Sequence, residues 1–264
     1  MTQIADSQIS QLLAGKHALV TGGSRGIGAF ISRLLLAHGA RVTVLGRGTS
    51  RSDSETMTNP SNRHQVSADV RDREAVARAF EQGRSQFGPI EILVNNAGQA
   101  ASAPFMKTDS SLWRRMMDVN LDGTFHCTQR ALPDMLAAGW GRIVNVASTA
   151  GLTGYGYISA YCAAKHGVVG LTRALALEVA SKGITVNAVC PGYTDTDMVK
   201  DTVANIVAKT GRTPDQALAE LTSRNPQKRL IKPEEVANAV AWLCLPGTEA
   251  ITGQSIAISG GEVM

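Results

Sequence analysis

The sequence predicts an α/β fold, a parallel doubly wound sheet with helices on both faces, and three observations lead there. Short runs rich in Val, Ile, Leu and Ala recur along the chain, continuous rather than alternating apolar and polar. That is the mark of strands covered on both faces. Between them lie longer stretches of helical periodicity, and strand–helix alternation builds a parallel sheet through right-handed crossovers. The first apolar run also opens directly into a glycine-rich turn, followed at once by a helical stretch.

In chain order, strands are expected at His17–Thr21, Arg41–Leu45, His64–Ala68, Ile90–Asn95, Arg142–Ala147, Ile184–Val189 and Ser255–Ser259. Helices are expected at Gly26–His38, Asp72–Phe87, Leu112–Ala138, Ala160–Lys182 and Pro233–Leu245. Gly, Ser, Asn and Pro concentrate around Gly46–Arg63, read as a surface loop between the second and third strands. Two further helices, Asp197–Lys209 and Thr213–Arg224, meet at Thr210-Gly211-Arg212, and Thr213-Pro214-Asp215 is a helix-start signal for the second. The 264 residues fit one domain spanning 1–264. A chain this long buries enough surface to fold without disulfides or a structural metal.

Charge and composition exclude several function classes. The net charge of +4 comes from 26 basic against 22 acidic residues, and the excess is scattered. The densest basic cluster, Lys228-Arg229 with Lys232, is answered by Glu234-Glu235, so no nucleic-acid partner is expected. No apolar run approaches the ~18 residues of a membrane span, and Met1 to Gly15 is polar with no secretory core. Cys127, Cys162, Cys190 and Cys244 form no Cys-x-x-Cys pair, so no metal site is expected and reduced thiols of a cytoplasmic protein are the simpler reading.

The turn Thr21-Gly22-Gly23-Ser24-Arg25-Gly26-Ile27-Gly28 joins the first strand to the first helix. Glycines there let backbone approach a pyrophosphate, and the helix start offers free N–H groups and the positive end of its dipole. A glycine cluster alone is weak evidence in a chain with 26 glycines; its place between strand and helix points to a dinucleotide. The second strand ends Val44-Leu45-Gly46-Arg47, where an NAD enzyme usually carries an acid for the ribose hydroxyls. Arg25 and Arg47, with no carboxylate between them, suit a 2′-phosphate instead. The expected cofactor is NADP(H).

Tyr161 and Lys165 stand four residues apart in a helical run and so share a face. With four Tyr and eight Lys such a pair is a roughly one-in-eight coincidence. Ser148, 13 residues upstream at the end of the fifth strand, takes the odds below about one in a hundred. His166 points away from this pair on the helix, and Tyr155 and Tyr157 lie between Ser148 and Tyr161 as either loop packing or pocket lining.

These stretches resemble the short-chain dehydrogenase/reductase family over essentially the whole chain. Asn95-Asn96-Ala97-Gly98, Asn120 in Val-Asn-Leu, Pro191-Gly192, Ile251-Thr252-Gly253-Gln254 and Gly260-Gly261 carry the likeness further. The resemblance implies a single Rossmann-type domain, usually assembled as a homotetramer, with a dimer the alternative. It also implies a catalytic tetrad of Asn120, Ser148, Tyr161 and Lys165. Cofactor contacts are implied for Gly22, Ser24, Arg25, Gly26, Ile27, Gly28 and Arg47, for Asp69 and Val70 at the adenine, for Asn96, Ala97 and Gly98, for Tyr161 and Lys165, and for Pro191, Gly192, Thr194 and Thr196. Tyr161 would be the general acid, Lys165⁺ would draw its phenol down from near 10 toward neutrality, Ser148 would hold the carbonyl oxygen, and Asn120 would hold a water on the proton path.

Residues 198–225 match the family's variable substrate lid, and local wording such as Gly141–Thr149 and Lys165–Gly170 is similar to ketoreductases of aromatic polyketide pathways. The lid length is similar to that of 3-hydroxybutyrate dehydrogenases. Gln99-Ala100-Ala101-Ser102 stands where the polyketide enzymes carry a Pro-Gly-Gly-like segment, so their stereochemistry does not transfer. Pro133 and Leu177 occupy the places of the basic pair that docks acyl carrier protein in fatty-acid reductases, which speaks against a dedicated fatty-acid role. The expected activity is reduction of a β-keto thioester or polyketide-like ketone, its substrate a small-molecule or thioester-linked carbonyl. An oxidative 3-hydroxyacyl-CoA or secondary-alcohol dehydrogenase and a non-catalytic NADP(H)-binding regulator are the alternatives.

Overall fold

A computed structural model describes residues 11–48 and 60–264. Seven strands form one parallel sheet in the order β3-β2-β1-β4-β5-β6-β7. They are β1 His17–Thr21, β2 Arg41–Gly46, β3 Arg63–Ser67, β4 Ile92–Asn95, β5 Gly141–Val146, β6 Ile184–Pro191 and β7 Ser255–Ile258. The order reverses between β1 and β4, whose register pairs Ala18 with Ile92. The doubly wound Rossmann-type fold is thus present, with its ligand crevice at the carboxyl ends of the central strands.

The continuous apolar runs are explained by cover on both faces. On one face Val20, Val44 and Val94 pack against α1 (Gly26–Ala37) and the late helix Pro233–Cys244. On the other, Leu19, Leu93 and Ile143 meet α2 (Arg73–Phe87) and two longer helices, Gly123–Ala138 and Ser159–Val179. Asp72 caps α2, its carboxylate accepting from the Glu74 and Ala75 N–H groups at 2.9 and 3.0 Å. The four cysteines are buried free thiols. Among the described residues no helix is long and apolar enough to cross a membrane.

Three expectations shift on the structure. β4 begins at Ile92 rather than Ile90, because the Ile90 N–H leaves the ladder for the Asp134 carboxylate at 2.9 Å. The single helix expected over Leu112–Ala138 is α3 (Ser110–Met117), a widened π turn (Asp118–Asp122) and α4 (Gly123–Ala138). In the wide turn the Gly123 N–H reaches back five residues to the Asp118 carbonyl, which brings Asn120 inward. The loop expected at Gly46–Arg63 surrenders its ends to β2 and β3, and residues 49–59 lie outside the described part.

The remaining helices are α5 (Ser159–Val179), α6 (Asp197–Thr210), α7 (Pro214–Thr222) and α8 (Pro233–Cys244). Thr213 starts α7 through a reciprocal capping box with Gln216. Of α6 only Val199 is buried, so this helix is held far more loosely than the ones that cover the sheet.

Candidate active site

The glycine turn is fixed by contacts that leave no room for side chains. A Cβ on Gly28 would lie 2.3 Å from the Gly22 carbonyl oxygen and 2.4 Å from the Asn96 side-chain nitrogen. Gly22 and Gly26 hold φ of +64° and +51°, the left-handed region that favours glycine. Asn96 clamps the turn, its side-chain amide donating to the Thr21 and Gly22 carbonyls at 3.0 and 3.1 Å. The N–H groups of Asn96 and Ala97 both donate to the Thr21 hydroxyl at 3.0 Å, which ties β4 to β1 at the reversal. Asn96 and Ala97 thus brace the cradle.

At the start of α1 the Arg25 side chain provides no cap, so the first-turn N–H groups carry no side-chain partner. Thr196 stands across from them, its methyl carbon 3.4 Å from where a Gly26 Cβ would be. The Thr196 hydroxyl donates to the Thr194 carbonyl at 3.2 Å, and the buried Thr194 hydroxyl to the Gly192 carbonyl at 3.0 Å. These two threonines extend the turn that follows Pro191, the last residue of β6. A phosphate-sized anion at the open helix start would meet its first-turn N–H groups, with Thr196 across from it.

The adenosine side of the crevice is open and basic. A Cβ at Gly46 would touch the Ser24 hydroxyl at 3.4 Å, and Arg25 and Arg47 are exposed. Arg47 is close enough to Asp69 to help hold its carboxyl below the usual range, after the dominant effect of Arg71. Arg71, which the sequence reading missed, grips Asp69 through two guanidinium nitrogens at 2.8 to 3.1 Å. Val70 is buried, packed against Gly123 at the start of α4. The uncapped helix start, the Cβ-free cradle and the two exposed arginines fit NADP(H).

Ser148 follows β5 and begins a tight turn, its hydroxyl accepting from the Ala150 N–H at 3.1 Å. Tyr161 and Lys165 lie on the first turns of α5, with the ammonium 5.7 Å from the phenol ring centre. Lys165 is only 4% exposed, and its Nζ donates to the Val146 carbonyl at 2.8 Å. Burial draws its pKa down to about 8. Asn120 is also buried, donating to the carbonyls of Gln99 and Met116 at 2.9 Å and accepting from the Gln99 N–H at 3.2 Å. A Cβ at Gly98 would sit 3.0 Å from the Asn120 oxygen and 3.7 Å from Lys165 Nζ, so glycine there lets these groups gather.

The Tyr161 phenol departs from expectation. Burial pushes it up to about 12, and the adjacent Ser148 hydroxyl is what acts downward. The Lys165 ammonium, 5.7 Å from the ring centre, donates to the Val146 carbonyl, and burial lowers its own pKa. The consequence is a phenol that keeps its proton throughout the neutral range. His166, as expected, faces away, its Nδ1 on the Cys162 carbonyl at 2.9 Å. Tyr157 is exposed, whereas Tyr155 points inward and donates to Glu262 at 2.7 Å. Glu262 and Arg71 escaped the sequence because no spacing relates them to a motif; Glu262 lies 107 residues from its partner.

Phosphate cradle and proton-bearing side chains lie along one edge of the sheet, at the strand order reversal, and this defines a nucleotide-dependent oxidoreductase of the α/β type. The family model for short chain dehydrogenases matches residues 16–206, and the chain belongs to that family. It is 39% identical over 252 residues to a putative ketoacyl reductase of Streptomyces coelicolor, covering 92% of this chain and 95% of the relative. It is 38% identical to the cis-4-hydroxycyclohexanecarboxylate dehydrogenase of Sinomonas cyclohexanicum, covering 96% and 98% of the two chains. A crystal structure of a variant of actinorhodin polyketide ketoreductase with NADPH superposes with a TM-score of 0.90 at 37% identity, covering 96% of this chain and 98% of the other.

Proposed function

We propose that the protein is an NADPH-dependent ketoreductase that turns a β-keto thioester or polyketide-like ketone into the secondary alcohol. Bound NADPH supplies the hydride. Tyr161 donates the proton to the carbonyl oxygen, and the observation that carries this reading is the place of its phenol, beside the Ser148 hydroxyl and with the Lys165 ammonium 5.7 Å from its ring centre. Ser148 donates a hydrogen bond to the same oxygen as charge develops there. Lys165 holds the ribose hydroxyls of the cofactor and, with Asn120, resupplies the proton from the buried side. Gly22, Ser24, Arg25, Gly26, Ile27, Gly28 and Arg47 hold the phosphates, Asp69 and Val70 the adenine, and Ala97, Gly98, Pro191, Gly192, Thr194 and Thr196 the nicotinamide half.

The chain acts as one domain, and residues 198–225 close over the substrate and exclude water. The single buried position of α6 supports that mobility of role. The protein works in the cytoplasm as a homotetramer, a reading supported by apolar side chains left on two helix surfaces: Leu177 of α5 is 84% exposed and Phe125 of α4 also projects outward. A monomer mass by light scattering would overturn the tetramer.

NADPH oxidation followed by absorbance with acetoacetyl-CoA tests the activity. Rapid turnover is the expected result and makes the lid a thioester cover. Binding of NADPH with no turnover of this or of bulky cyclic ketones would overturn the reductase reading. For the cofactor, Arg25→Ala and Arg47→Ala are each expected to weaken NADPH by about 10- to 100-fold and NADH far less, since a hydrogen bond to a charged group contributes about 1.5–3 kcal/mol. Fluorescence titration with both nucleotides reads the difference, and equal losses would show that the arginines do not meet a 2′-phosphate.

A further inference from the structure

Glu262 follows the terminal Gly260-Gly261 turn, and its side chain reaches Tyr155 on one side and Gly192 on the other. One carboxylate oxygen accepts from the Tyr155 phenol at 2.7 Å, and Tyr155 belongs to the segment that leads from Ser148 to Tyr161. The other oxygen lies on Gly192, where a Cβ would come within 3.1 Å, just after Pro191. The carboxylate is felt around the pocket. It adds to burial in raising the phenols of Tyr155 and Tyr193, and Tyr193 acts in turn on Tyr161.

Arg224 offsets it only in part, lowering both phenols where Glu262 raises them more. Arg224, at the end of the lid, stacks 4.4 Å above the Tyr155 ring and donates to the Gly154 carbonyl at 3.5 Å. Its guanidinium is exposed and, among the described residues, forms no ion pair with Glu262. Glu220, the other charge acting on Tyr193, is negative as well and is held by Arg212. A half-buried carboxylate fixed by a phenol therefore stands between the segment that links Ser148 to Tyr161 and the turn after β6.

We propose that Glu262 determines specificity, its carboxylate rejecting ketones that carry a free carboxylate and admitting neutral ketones, esters and thioesters. In a β-keto acid the carboxylate stands two carbons from the reacting carbonyl. With the carbonyl oxygen at Ser148 and Tyr161, that second charge would come close to the Glu262 carboxylate. An unpaired like charge is an effective means of exclusion, because it costs the wrong substrate without contributing to the right one. The inference rests on the ketone-reducing reading and narrows its substrate class.

The test compares acetoacetate with ethyl acetoacetate, which differ in charge at the same position, on the wild-type protein and Glu262→Gln. Glutamine keeps the size and still accepts from Tyr155. The wild type is expected to favour the ester by about 30-fold or more in kcat/KM, and Glu262→Gln to narrow that ratio by about tenfold through a gain on acetoacetate. A ratio unmoved by the substitution overturns the proposal, and so does a wild type that takes the acid as readily as the ester, which would show Arg224 recruiting the carboxylate. Titration of both compounds into the NADP⁺-loaded proteins by NMR reads the same preference without turnover. If neither ketone is reduced the reductase reading falls, whereas equal affinity of wild type and variant for acetoacetate, or no binding of either compound, overturns the role of Glu262.

Discussion

Tyr161→Phe is expected to lower kcat for ketone reduction by about 10³-fold while the Kd for NADPH stays within about twofold, since general acid catalysis contributes about 10²- to 10⁴-fold and the ring remains in place. Removing one hydroxyl leaves the helix, the Lys165 contact with Val146 and the glycine cradle untouched. The protonation of Tyr161 gives this variant a second signature. With the phenol pushed up to about 12 by burial, the wild type holds its transferable proton at every pH from 5 to 8. No loss of activity from ionisation of Tyr161 should therefore appear in that range, and rate measurements across it check this directly. Stopped-flow rates for wild type and variant at one saturating ketone decide the main point, and a variant that retains more than about a tenth of the rate would remove Tyr161 from the acid role.

The behaviour of Tyr161 also marks where sequence reading stopped. The strands were legible because each is covered on both faces, so Leu19, Val20, Leu93 and Val94 read as one unbroken apolar signature. The glycine turn was legible because its constraint is local: backbone too close for a Cβ, as at Gly28, can be written only as glycine. What depends on burial was not. Four-residue spacing places Lys165 beside Tyr161, but it does not say how far burial raises the phenol and lowers the ammonium. The π turn at Asp118–Asp122 was hidden for a related reason. Its hydrogen bonds are redirected by Asn120 gripping the Gln99 and Met116 backbone, a contact across 21 residues that no helical periodicity records. Glu262 had no signal at all, since a lone acid after two glycines reads as a solvated tail until Tyr155 is found against it.

Lys165→Met carries the second large effect, and it separates what the residue does for chemistry from what it costs the fold. The ammonium is 4% exposed, and burial lowers its pKa from 10.5 to about 8. Below pH 8 the folded protein carries a charge it is poorly placed to solvate. Between about 8 and 10.5 the unfolded chain binds the proton more readily than the folded one, so unfolding free energy rises with pH across that window. The full gain is roughly 3 kcal/mol, at about 1.4 kcal/mol per pKa unit. Methionine keeps the length of the side chain and removes the titration. It also leaves the Val146 carbonyl without its 2.8 Å partner, but that loss is the same at every pH and cannot change the slope. Urea unfolding of both proteins at pH 7 and pH 10 should therefore show the wild type gaining a few kcal/mol on the variant as pH rises, with other titrating groups cancelling in the difference. Parallel stability profiles would mean that Lys165 keeps its ordinary pKa in the folded protein. Turnover should fall by at least about 10²-fold in the same variant, with a raised KM for NADPH, because the group proposed to hold the ribose and feed the proton path is gone. A residue that weakens the fold where it works, and whose removal relieves the fold while ending the activity, is one retained for its chemistry.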